Sequence, residues 1–515
     1  MRSHLPLTLG DTLEDNANRF GDQPAFIMDN QILTHGRLLQ RAKKLASAIE
    51  QQGLRRQDRI SILSMNSLPF AEVMAAGHWS GLIVSTVNFR LAPPEIAYII
   101  NDSSPQILFF EFQYLPVIEQ LRSQLSSVER YVCIGGSTDW AIDYEVFIET
   151  GQDEGSSFQA KEEDIACLIY TSGTTGKPKG CILGQREMRV SAQCMSVETR
   201  SGPCDRILLV MPLFHIGALA MQMGVHFRGG CVVLHRQFDP TELLKSVTND
   251  GITILHLAPT LVQMMLDHPA VTDTDFSSLH TLVYSAAAMP LPLLKRGMSM
   301  LGNVFVNLYG QTEVFSSGLL REQHRPEGSE KEKHWLTSVG QPFPNTRIRI
   351  VDDNGSDCPT GTAGEIIVQS VAMARGYWNN HPATLETFRD GWCHSGDVGI
   401  IDEDGMLYLV DRKKDVIISG GENIYSREVE DAVLTHPAII ECAVIGQADD
   451  KWGETVCAVV VFKPGMEASE EDIIDHVKTM IASYKKPRSV ISVTDIPKMP
   501  TGKIDKKVLR QQMGG

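Results

Sequence analysis

The ten cysteines of this 515-residue chain (133, 167, 181, 194, 204, 231, 358, 393, 442 and 457) form no CxxC pair and no Cys/His cluster at zinc spacing. That excludes the common structural zinc modules. Scattered thiols in a long chain are ordinarily buried ones and point to a reducing cytoplasm. Basic residues are in deficit. Lys and Arg number 47 against 63 Asp and Glu, a net charge of −16. A field of that sign repels phosphate backbones and anionic lipid, so nucleic acid is not expected as the main partner. Long hydrophobic runs are scarce as well. Met1 to Gly10 lacks the apolar stretch of a secretory signal, and acids begin at Asp11. Only 207–227 is both free of charged side chains and long enough to cross a bilayer. It carries Pro212, His215, Gln222 and His226, so it reads as a buried strand–loop–helix.

What is present is an ordinary globular composition, 43% hydrophobic and 21% charged, with no repeat or low-complexity tract. At about 150 residues per domain, the length suggests three or so folding units. Strand-like runs (59–64, 106–110, 253–257) alternate with helix-like ones such as Phe70 to Trp79, which predicts doubly wound α/β layers. From about 338 the texture changes to short strands and turns. Val398–Ile401 and Met406–Val410 flank Asp402-Glu-Asp-Gly405, a hairpin signal. A charged run, Asp411-Arg-Lys-Lys-Asp415, breaks that pattern and marks the expected boundary between residues 1–412 and 413–515. The C-terminal piece starts with a helix-like Ser426 to Leu434.

The most informative stretch is Tyr170-Thr-Ser-Gly-Thr-Thr-Gly-Lys-Pro-Lys-Gly180. Glycines let backbone N–H groups approach closely, hydroxyls donate hydrogen bonds and lysines supply charge, as a polyphosphate clamp requires. A Walker-type P-loop is excluded by spacing. Two residues separate Gly173 from Gly176, and Pro178 follows the first lysine. The segment instead resembles the phosphate loop of the adenylate-forming superfamily, which includes acyl-CoA synthetases, luciferase and peptide-synthetase adenylation domains. Further signatures follow in order: Met211 to Gly217, Asn307 to Glu313, Ser338 to Pro342, Gly391 to Asp397, Tyr408 to Asp415, Ser419 to Tyr425 and Pro500 to Ile504.

The resemblance implies the fold, the chemistry and the site. The fold is a large N-terminal domain of two doubly wound α/β layers plus a β-barrel, followed by a small α+β lid. The reaction joins a carboxylate to ATP, giving acyl-AMP and pyrophosphate, then passes the acyl group to a thiol. Two anions meet in the first step, so the site must neutralise charge and hold attack geometry. Thr171, Ser172, Gly173, Thr174, Thr175, Gly176, Lys177 and Lys179 would bind phosphate. Glu313 would ligate Mg²⁺, Thr312 the α-phosphate, and Tyr309 with Gly310 the adenine. Asp397 would accept from the ribose hydroxyls, beside Arg412. Lys503 would bridge the attacking carboxylate and the α-phosphate, and Lys414 would be the lid hinge. His215 would gate the acyl tunnel, with Ala286, Ala287, Leu308 and Gly310 lining the acyl pocket. Gly420 and Gly421 would lie along the pantetheine of coenzyme A, the expected thiol.

Three departures carry information. Leu308 stands where many relatives have glycine, and Ser285-Ala-Ala-Ala-Met289 replaces Ser-Gly-Ala-Ala-Pro. Both add volume to a close-packed wall, which favours a short or compact acid. Ser426 replaces a usual proline and is expected to cap the following helix. The expectation is thus a cytoplasmic ATP- and Mg²⁺-dependent acyl-CoA synthetase whose partners are small molecules, with no membrane span and a homodimer left open. The rivals are an enzyme that loads a free-standing carrier protein and a non-catalytic nucleotide-binding relative.

Overall fold

The computed structural model describes residues 8–171, 177–419, 422–449, 452–499 and 504–513. The chain packs into two compact units, one of residues 1–348 and 368–393, the other of 349–367 and 394–515. Residues 394–412, grouped by sequence with the large domain, therefore pack with the C-terminal residues.

The first unit holds a seven-stranded and a nine-stranded sheet, each mostly parallel. In the larger one, Ile254–Leu257, Thr281–Ser285 and Phe305–Gly310 are parallel neighbours, and Phe315–Leu319 returns antiparallel beside the last. Their side chains alternate between two apolar cores. Ile254, Val283, Val306 and Leu308 face the core shared with the other sheet, whereas Leu255, Leu257, Leu282, Tyr284 and Phe305 face an outer helix layer. Strands buried on both faces need near-continuous apolar runs, and these have them.

Two helices of the inner layer, Leu68–Ser80 and Ile216–His226, are apolar almost all round because protein covers every side. The uncharged 207–227 window is thus a strand (Arg206–Leu209), a loop and a buried helix, as expected. Among the described residues no helix is long and apolar enough to cross a membrane.

In the second unit, residues 397–401 pair antiparallel with 407–412 around the expected turn. The charged run does not break the strand at once. Asp411 and Arg412 continue it, and only Lys413–Asp415 turn away as a short 3₁₀ helix. Beyond it lies a separate five-stranded sheet (Ile417–Ser419, Glu422–Ile424, Ile439–Asp449, Gly453–Phe462, Ser489–Ser492). Ser426–Leu434 and Glu470–Lys478 cover one core of this sheet, and Lys506–Gln512 covers the other, giving the expected α+β arrangement. One expectation fails. Ser426 is not the cap of its helix but its first, fully buried residue. Its N–H and Oγ both donate to the Asp411 carboxylate, and Lys506 Nζ donates to the same Oγ at 2.6 Å. Asp411 therefore supplies the anion that a helix start favours, through an N–H that proline would lack.

Candidate functional site

The phosphate-loop segment joins two antiparallel strands, Ile165–Thr171 and Lys179–Gly184, and Thr171 pairs with Lys179 across its mouth. Ser172, Gly173, Thr174, Thr175 and Gly176 lie outside the described residues, as do Gly420, Gly421 and Lys503. The ends of the loop are placed. Lys177 Nζ lies 5.4 Å from the centroid of the Tyr98 ring, and Lys179 Nζ lies 5.0 Å from that of Tyr377. Both contacts keep an ammonium against an aromatic ring without neutralising it.

At the carboxyl end of Phe305–Gly310 the backbone turns sharply. A Cβ on Gly310 would lie 2.8 Å from both Phe315 Cα and Val314 O, so no larger residue fits. Gln311 N–H donates to Val314 O at 2.8 Å and closes the turn, which puts Thr312 and Glu313 at its tip. Ala374 N–H donates to the Glu313 carbonyl at 2.8 Å, and Tyr377 O–H donates to Glu313 Oε1 at 2.7 Å. Burial, and then the neighbouring Glu313 charge, push the Tyr377 phenol well above its ordinary range, so it remains a protonated donor at neutral pH. Lys179, Tyr377 and Glu313 thus form a continuous chain from the phosphate loop to the carboxylate. Tyr377 was missed in the sequence because its partners lie 64 and 198 positions away, and no local spacing marks it.

The geometry fits Mg²⁺. Glu313 is only 7% exposed, and Tyr377 fixes one of its oxygens. Among the described residues no three His, Cys, Asp or Glu side chains are placed to hold a metal between them. A single hard carboxylate suits Mg²⁺, which fills its other positions with substrate phosphate and water.

Tyr309, next to this turn, is 9% exposed. On the inner face, Leu308 registers with Ser285 on one side and Gly318 on the other. Ala286 and Ala287 are exposed. Ala286 sits at φ +71°, a left-handed conformation that side chains other than glycine's resist. His215 precedes the Ile216–His226 helix as its half-buried N-cap residue, its ring 4.3 Å from Phe214's. One further residue near the start of this helix is absent from the sequence expectations, His256, whose Cε1 lies 3.6 Å from where a Cβ on Gly217 would stand. His256 is buried, with Nε2 2.8 Å from Ser285 Oγ.

The second unit places Asp397 and Arg412 directly opposite each other on the 392–412 hairpin. Arg412 Nε lies 2.7 Å from Asp397 Oδ1, and the Asp397 side chain is 9% exposed. Lys414 is exposed in the 3₁₀ turn that follows. Next to it Lys413 is paired with Asp353 and Glu365, and Asp415 with Arg510.

The family model described as AMP-binding enzyme matches residues 13–378, and that of the AMP-binding enzyme C-terminal domain matches 428–503. A feruloyl-CoA synthase from Amycolatopsis sp is 35% identical over 94% of both chains. A fatty acid–[acyl-carrier-protein] ligase, ScoC, from Streptomyces coeruleorubidus is 31% identical over 100% of this chain and 98% of its own. Among solved structures, the anthranilate CoA ligase AuaEII in complex with anthranoyl-AMP superposes with a TM-score of 0.89 at 28% identity, covering 99% of this chain and 98% of its own. The amide bond synthetase McbA from Marinactinospora thermotolerans gives 0.88 at 28%, over 98% and 99%. The chain therefore belongs to the AMP-binding enzymes of the adenylate-forming superfamily, and is an AMP-forming acid–thiol ligase of the acyl-CoA synthetase class that uses ATP, Mg²⁺ and coenzyme A.

Proposed function

We propose that the enzyme activates a short or compact carboxylic acid. The carboxylate oxygen attacks the α-phosphorus of ATP, forming the acyl–O–P bond and releasing pyrophosphate. The thiol of coenzyme A then attacks the acyl carbon, and AMP leaves. When bound at Glu313, Mg²⁺ supplies charge neutralisation on the polyphosphate. The chain's own residues do the rest. Lys177 and Lys179, with the loop hydroxyls from Thr171 to Thr175, bind phosphate, and Tyr377 holds Glu313 in one rotamer. Thr312 donates to the α-phosphate while Tyr309 and Gly310 bound the adenine. Asp397 accepts from the ribose hydroxyls, aligned by Arg412. Lys503 draws together the two anions of the first step, which is where fixed positive charge lowers the barrier. Residues 413–515 act as a lid that turns at Lys414 between the two steps, with Gly420 and Gly421 along the pantetheine.

The observation that supports a compact acid is Leu308. It is 8% exposed, on the inner face of the strand that leads into the Thr312–Glu313 turn, where its isobutyl group occupies space that glycine leaves free. The test is AMP release with coenzyme A across straight-chain acids from acetate to oleate, with benzoates and cinnamates. The highest kcat/KM is expected at about six carbons or fewer, since each methylene that a pocket refuses changes discrimination by about 1–3 kcal/mol. Because ScoC is a carrier-protein ligase, free-standing carrier proteins are run beside coenzyme A as acceptors. Faster transfer to a carrier protein than to coenzyme A would overturn the assigned acceptor.

A further inference from the structure

His256 and Ser285 have no part in the chemistry above, yet their geometry is specific. Both lie on the inner face of the nine-stranded sheet, His256 on Ile254–Leu257 and Ser285 at the carboxyl end of Thr281–Ser285, directly beside Leu308. The carboxyl ends of parallel strands are where α/β sheets bind ligands. The imidazole is 2% exposed, and its Nδ1 has no hydrogen-bond partner. Gly217 lies close to the ring, where a Cβ would stand 3.6 Å from His256 Cε1, an ordinary van der Waals contact.

The unpartnered nitrogen fixes the direction of the remaining bond. Burial pushes the His256 pKa down to about 4, so the ring is neutral and carries one N–H. A buried N–H without an acceptor is less tolerable than a bare lone pair. The proton therefore sits on Nε2, which donates to Ser285 Oγ at 2.8 Å. A hydroxyl that accepts from the ring keeps its own O–H to donate elsewhere. Ser285 is half-buried, and the exposed Ala286 that follows holds a left-handed φ of +71°. Backbone strain of this kind persists where the surroundings require it and gathers at binding sites.

We infer that Ser285, oriented by His256, is a hydrogen-bond donor in the acyl pocket, and that the substrate is a compact acid with an uncharged acceptor oxygen (hydroxyl, carbonyl or ether) on its acyl group. This rests on the compact-acid reading above. A second carboxylate is disfavoured, because the Ile254–Leu257, Thr281–Ser285, Phe305–Gly310 and Ile216–His226 elements contain no Lys or Arg to balance it.

The experiment pairs butanoate, pentanoate and hexanoate with their hydroxy, oxo and methoxy derivatives and with the matching dicarboxylates, reading kcat/KM for AMP release by the full chain. At least one neutral oxygenated acid should exceed its hydrocarbon twin by about tenfold or more, as expected for a site whose donor the twin leaves unpaired. Ser285→Ala and His256→Leu should each collapse that ratio towards one by raising KM for the oxygenated acid, with KM for ATP unmoved. His256→Gln, which keeps a donor towards Ser285, should restore part of it. If His256→Leu fails to fold, Ser285→Ala decides alone. Hydrocarbon or dicarboxylic acids preferred throughout, or a ratio unchanged in Ser285→Ala, would overturn the inference and leave the compact-acid reading standing. A best substrate among long-chain or aryl acids would overturn that reading itself, and the inference with it.

Discussion

Tyr377→Phe removes one hydroxyl from the link between the phosphate loop and Glu313 and keeps the ring. The phenylalanine ring keeps its contact with Phe388, 5.7 Å between centroids, and can still face Lys179 Nζ. What disappears is the 2.7 Å donation to Glu313 Oε1, together with the hydroxyl's hydrogen bond with the Thr387 side chain. A hydrogen bond to a charged acceptor contributes about 1.5–3 kcal/mol. Water cannot easily replace the lost donor, because Glu313 is only 7% exposed, so the upper half of that range applies. At 1.36 kcal/mol per decade, the loss corresponds to about 45- to 160-fold in rate. If Tyr377 fixes the carboxylate for the metal–ATP complex, the loss falls on kcat/KM for MgATP. It should be measured by ATP–pyrophosphate exchange over a range of Mg²⁺ concentrations, and excess Mg²⁺ should recover part of it. The KM for the acid should hardly move. A Tyr377→Phe enzyme that is folded and within about twofold of the parent at every Mg²⁺ concentration would show that this bond does not position Glu313 for catalysis; that is the range expected of an uncoupled polar contact.

Lys503→Ala should lower acyl-AMP formation by about 100-fold or more, the size of a lost transition-state contact, while thioester formation from supplied acyl-AMP is largely retained; equal loss in both half-reactions, each measured separately, would refute the assigned role. Lys414→Pro fixes φ near about −65° at the expected hinge. One half-reaction should then persist while the other falls sharply, and unchanged rates for both would place the hinge elsewhere. Leu308→Gly should shift the preferred acid to a longer one, each additional buried methylene contributing about 0.8 kcal/mol. The ratio of kcat/KM between acids of two to eight carbons is the measurement, and a constant ratio would show that Leu308 does not face the acyl group.

The α/β layers were legible in the sequence because the elements that build them are local. The predicted helix and strands over 59–80 and 253–257 needed only apolar periodicity, and they form at Arg59–Leu63, Leu68–Ser80 and Ile254–Leu257. The Asn307-to-Glu313 signature was legible for the same reason, since its tight turn is encoded by adjacent residues, Gly310 above all. Boundaries proved less legible. Asp411 and Arg412 look like a strand-breaking charged run, but Arg412 pairs across the hairpin with Asp397, and Asp411 reaches Ser426, fifteen residues on. Their charges are satisfied by partners that no linear window contains. Ser426 was misread for the same reason, as a helix cap rather than as a buried donor to a distant acid.

The residues that escaped the sequence share a character that explains why. Tyr377 and His256 are buried polar side chains, and each acts on a motif residue rather than belonging to a motif. A tyrosine in the segment Arg375-Gly-Tyr-Trp378 and a histidine between Leu255 and Leu257 read as core residues, and by burial that is what they are. Only their hydrogen bonds set them apart. A buried polar group left unpaired costs more than its bond contributes, so the great majority of such groups have a partner. Tyr377 has its partner in Glu313. His256 has Ser285 on one nitrogen and nothing on the other. That asymmetry is invisible in composition or spacing, whereas Glu313 stands inside a local signature that any linear reading meets.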